Sequence, residues 1–152
     1  MYANSKLSVG NLSNNPAMLF QGSSEFVGEL PSLEGESPIC RFQTMEHGVC
    51  AALQYIFELY TRFNYRTVES ICHIYFANSE LQETSPYLIL RYVNMRSFRH
   101  IEMSTILQLD ELCYCIVPAL CYVLSQVFVS NEDIRNVVSL FKLSYLNPDF
   151  LY

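Results

Sequence analysis

Apolar residues return every three or four positions from residue 44 onward, and before it they do not. Val49, Ala52, Leu53, Ile56, Phe57 and Tyr60 form the first series. That spacing lays them along one face of a helix. Thr44 stands before the series as a cap, and Glu46 falls in the first turn, where the helix dipole favours a carboxylate. Gly48 costs this helix about 1 kcal/mol in propensity. The simplest compensation is close approach by another backbone. "RFNYR" breaks the period. Thr67 then opens a second helix with Val68, Ile71, Cys72 and Tyr75 inward. "FANSELQET" reads as a loop. Ser85 followed by Pro86 is a cap and a first-position proline, and starts a third helix that runs to Met95.

Asp110 is expected to open a fourth helix that continues to Val129, kinked by Pro118. Ser130 caps a fifth, with Asp133 three residues on and Ile134, Val137, Val138 and Phe141 as its apolar face. Residues 1–38 are rich in Ser, Asn, Gly, Pro and Glu and read as an irregular segment with one short turn or hairpin. The aromatic tail, "LSYLNPDFLY", is not expected to be helical past Asn147. The pattern therefore predicts an all-α domain of about five helices over residues 39–143, an irregular segment over 1–38 and a tail over 144–152.

Composition sharpens this picture. A chain of 152 residues can bury a core, and 51% hydrophobic against 16% charged leaves apolar surface to spare. That surplus points to burial against a partner, either other protein subunits or further copies of this chain, or against a membrane. A net charge of −6 argues against general nucleic-acid binding. "LRYVNMRSFRH" concentrates Arg91, Arg96, Arg99 and His100, which read as loop solvation or as partners for nearby carboxylates. Residues 112–129 carry no charge and reach the lower edge of a spanning length. Acids flank them (Asp110, Glu111, Glu132, Asp133), whereas spanning segments favour basic flanks. A central buried helix is the better reading, and membrane insertion is not expected. No basic stretch followed by an apolar run opens the chain, so a Sec signal is not expected. Six cysteines without an export signal read as free thiols of the cytoplasm or another reducing compartment.

Candidate chemistry is sparse. Cys113 and Cys115 would point about 200° apart on a helix and could not grip one ion together, so no metal or other cofactor is expected. Cys50 lies in the first turns of a helix with His47 one turn away, a setting that can lower a thiol pKa. "GVCAAL" nonetheless reads as packing. A glycosidase needs a carboxyl kept protonated by an apolar wall. Spacing singles out no glutamate for that task.

The order of several landmarks resembles a lysozyme-like family of phage and Bacteroidetes proteins labelled phage structural proteins. These landmarks are "NNPAMLF" from Asn14, "FVG" from Phe26, "CRFQTMEHGVCA" from Cys40, "TVESICHIYFANSELQET" from Thr67 and "PYLILRYV" from Pro86. Phe42, Thr44 and Gly48 keep step with the family's aromatic, hydroxyl and glycine positions. The resemblance implies a lysozyme-like helical fold and a setting in a phage particle or a contractile injection (type VI-like) secretion system. It departs from the family where polar, cleft-lining positions become Phe20, Phe26 and Cys50. It therefore implies a non-catalytic structural or interaction domain, with Phe20, Phe26, Tyr145, Phe150 and Tyr152 as candidate docking residues. The alternative is an active peptidoglycan-cleaving muramidase or lytic transglycosylase, with Glu46 or Glu80 as its acid.

Overall fold

The computed structural model describes residues 3–4, 13–21, 26–31, 39–77 and 84–143. Its helices are α1 (Met45–Thr61), α2 (Val68–Tyr75), α3 (Pro86–Arg96), α4 (Leu109–Glu111), α5 (Val117–Ser125) and α6 (Asn131–Leu140). A π-helical stretch, Leu112–Ile116, joins α4 to α5, so the described residues form five helical lengths. Among the described residues, strand is confined to four two-residue pieces: β1 (Ala3–Asn4), β2 (Glu29–Leu30), β3 (Arg41–Phe42) and β4 (Val127–Phe128). β1 pairs antiparallel with β4, and β2 with β3. The fold is all-α in character, as the hydrophobic period implies.

The helix starts are chemical. The Thr44 hydroxyl accepts the His47 N–H, and Ser85 accepts the Tyr87 N–H. Thr67 and Ser130 each form a reciprocal box with the residue three further on, Ser70 and Asp133. Each such cap satisfies amides that the helix itself cannot, and is worth about 1 kcal/mol. The inward faces agree with the spacing: Val49, Ala52, Leu53 and Ile56 on α1 and Val68, Ile71, Cys72 and Tyr75 on α2 are buried.

The fourth helix departs from expectation. Helical backbone ends at Ser125, not Val129, because Gln126 turns left-handed (φ 56°) and the chain then extends into β4. Nor is Pro118 a simple kink. Proline has no N–H to give the carbonyl four residues back, which here is Tyr114. The guanidinium of Arg96 takes that role, its Nε donating to the Tyr114 carbonyl at 2.7 Å. Just upstream of the proline the helix widens, and the Val117 N–H reaches the Leu112 carbonyl five residues away. This length is the centre of the core: residues 111–121 are all buried. α3 packs along α5 and the π stretch, α6 against α1, and α2 against α3. Among the described residues, no helix is long and apolar enough to cross a membrane.

The N-terminal segment is not merely appended. Asn15, Pro16, Ala17 and Leu19 are buried, and Ala17 and Leu19 belong to the main apolar cluster. The Cys40 N–H donates to the Leu19 carbonyl at 2.9 Å, and Gln43 N–H to Gly28 at 2.9 Å. Residues 13–21, 26–31 and 39–43 thus lie bonded together over the start of α1.

Candidate functional site

Residues from four of the sequence motifs, those beginning at Asn14, Phe26, Cys40 and Thr67, meet around one turn, where they act as fasteners. Asn15 is fully buried; its Nδ2 donates to the carbonyls of Leu19 and Cys40, and its Oδ1 accepts the Leu19 N–H, all at 2.9 Å. Asn14 adopts a left-handed backbone (φ 52°), which asparagine tolerates better than most residues. Its Nδ2 reaches the carbonyls of Phe42 at 3.2 Å and Gln43 at 3.3 Å. The Asn14 carbonyl rests directly on Gly48, so a Cβ there would collide with it. That is the close backbone approach expected of Gly48. The buried Tyr75 hydroxyl donates to the Ala17 carbonyl, tying the same turn to the end of α2. Gly28 (φ 79°) lies against the His47 ring, whose Nδ1 shares a hydrogen bond with the Thr44 hydroxyl at 2.6 Å. The other side of that imidazole meets the Phe141 ring edge-on at 5.0 Å between centroids.

The candidate residues fall around this turn without forming a cleft chemistry. Glu46 is a half-buried carboxylate of the first turn of α1. Phe26 packs on buried Phe42 with ring centroids 6.2 Å apart, and Phe20 pairs through its backbone with Ile39; both are half-buried against the core. Glu80, Tyr145, Phe150 and Tyr152 lie outside the described residues.

Two acidic side chains are deeply buried among the described residues, and both are fixed acceptors. Glu111 is gripped by Arg99, Nε to Oε2 at 2.8 Å and Nη2 to Oε1 at 2.7 Å, and also accepts the Gln108 N–H. Asp133 accepts the Ser130 N–H. Both carboxyl groups are engaged by hydrogen-bond donors rather than set against an apolar wall. The arginines do not converge either: Arg96 spans from the Tyr114 carbonyl to Asn131 Oδ1, Arg99 serves Glu111, and Arg91 is exposed on α3.

All six cysteines are buried and unpaired by disulfides. Burial pushes the Cys50 thiol up to about 11, the reverse of what a nucleophile needs. Burial likewise lifts Cys40, Cys72, Cys113 and Cys121 to about 12. The described residues bring no three His, Cys, Asp or Glu together around a metal position.

A different region is open. A groove of about 490 Å³ lies between α2 and the start of α3. Buried Cys72 and half-buried Phe76 and Met103 form its inner wall, and exposed Glu69, His73 and Tyr87 stand at its mouth. Glu69 and His73 are four residues apart on α2 and so share a face. Sequence reasoning passed over this groove. Its one visible signal was a Glu and a His at helical spacing beside an aromatic residue, in "ESICHIYF". No family model matches the chain, and no curated protein matches it.

Proposed function

We propose that this protein is a non-catalytic helical domain that docks onto other protein subunits. The observation that carries this reading is the outward face of α3. Its fully buried residues are Ile89 and Val93, with Leu90 and Tyr92 partly buried against the core. Leu88 and Met95, seven residues apart and so on one side of α3, are 41% and 69% exposed, and Phe98, just past the helix end, is 75% exposed. Arg91 lies among them. An apolar stripe of this kind on a soluble domain marks an interaction surface. The burial of the landmark asparagine and glycine in backbone fastening also favours a scaffold over a hydrolase. Together with the family resemblance, it suggests a component of a phage particle or a phage-derived injection machine.

The test has two arms. In sedimentation, the native chain is expected to self-associate or to bind a subunit encoded beside it. Met95→Asp should abolish that association while leaving the thermal midpoint unchanged. In a peptidoglycan-clearing assay no lysis is expected. Lysis that Glu46→Gln or Glu80→Gln abolishes would establish the muramidase instead.

A further inference from the structure

The groove between α2 and α3 has a chemistry of its own, separate from the α3 stripe. Its size falls within the range of small-molecule sites, roughly 300–1,000 Å³. Its lining holds one acidic side chain, Glu69, together with His73 and Thr84. Glu69 offers a carboxylate that meets no cation among the described residues, and no lysine or arginine of the described residues lines the groove. The rest of the lining is largely apolar and includes two aromatic rings and a thioether: Phe76, Tyr87 and Met103, beside Cys72, Ala77 and Pro86. Aromatic faces carry negative potential and attract cations, and a carboxylate nearby adds to that attraction. The net charge of −6 favours the same sign of ligand.

We propose that this groove binds a small organic cation, a primary or quaternary amine carried on an aryl or short alkyl body. The ammonium group sits between the Glu69 carboxylate and the Tyr87 ring. The apolar body lies against Phe76 and Met103, with Cys72 beneath. His73, on the same face as Glu69, closes the mouth.

Titration calorimetry on the whole chain tests this with phenethylamine and benzyltrimethylammonium as cationic probes and 2-phenylethanol as the neutral match. Saturable binding of both cations is expected, with the alcohol weaker by about tenfold or more. Glu69→Gln should bring phenethylamine down to the level of the alcohol. Tyr87→Ala, an exposed position that folding does not depend on, should weaken both cations. The proposal is overturned if alcohol and amine bind equally, if either variant leaves cation affinity unchanged, or if neither cation binds saturably up to about 10 mM. Should Glu69→Gln fail to fold, the Tyr87→Ala result decides alone. The docking reading is tested by association, so the two can fail independently.

Discussion

Tyr75 and Phe76 are neighbours at the end of α2 and belong to opposite kinds of region. The Tyr75 ring is buried, its hydroxyl committed to the Ala17 carbonyl; Phe76 faces a groove. On the first side, polar groups are spent on backbone. Asn15 uses three bonds to hold a turn, and Gly48 gives up its side chain so that Asn14 can touch the helix. On the second side, Glu69, His73 and Tyr87 stand exposed at the mouth of a cavity. A polar residue bound to buried backbone is architectural, because losing it strands the groups it satisfied. A polar residue at an open mouth can be changed at little cost to the fold, and so is free to serve recognition. The part of the chain that carries the most motif-like residues, Asn14 to Leu19 and Thr44 to Cys50, is the architectural part.

Substitutions can break that contrast. The largest effect is expected at Gly48. Helix propensity alone says that Gly48→Ala should stabilise α1 by about 1 kcal/mol. The collision with the Asn14 carbonyl says that it should destabilise by roughly 3 kcal/mol or more. Chemical denaturation decides, and a stabilised variant would mean the turn does not sit on α1. Next comes Asn15→Ala, which strands the Leu19 N–H and the Cys40 carbonyl, while the Leu19 carbonyl keeps the Cys40 N–H, and should cost about 2–3 kcal/mol.

Alkaline pH reads the core more gently. Unfolded thiols ionise near their ordinary value of 9.0, whereas burial holds Cys50 to about 11 and Cys72, Cys113 and Cys121 to about 12. Between those limits the unfolded chain has released protons that the folded chain keeps. Stability should therefore be undiminished by the thiols below pH 9 and fall steadily from about 9 to about 12. Urea midpoints measured under reducing conditions check the slope. A thiol reagent at pH 8 should label none of the six cysteines before denaturation and all six after it. The smallest effect belongs to the groove: Glu69→Gln and Tyr87→Ala should each shift stability by no more than about 0.5 kcal/mol. A loss as large as that of Asn15→Ala would erase the contrast.

Legibility in the sequence followed the range of the interaction. Thr44, Thr67, Ser85 and Ser130 were all readable as caps because a cap needs only the next three residues. The close approach at Gly48 was readable too, but its partner was not, since Asn14 is far away along the chain. The π stretch escaped notice because its cause is shared. Pro118 withholds a donor locally, but the carbonyl is rescued by Arg96, a residue of another helix. β4 was read as helix because "VFV" is apolar at any period, and its pairing with β1 is tertiary. Arg99 was readable as a partner for some carboxylate, but nothing local marked Glu111 as the one. The groove depends on how α2 meets α3, which no local pattern encodes.

The tie between Tyr75 and Ala17 spans 58 positions of chain, and that between Asn15 and Cys40 spans 25. Closing such long loops costs entropy before any contact repays it. The expected consequence is kinetic: α1 and α2 assemble first, and the asparagine turn clasps them afterward. Asn15→Ala should then speed unfolding while leaving the refolding rate nearly untouched, since its bonds form on the native side of the barrier.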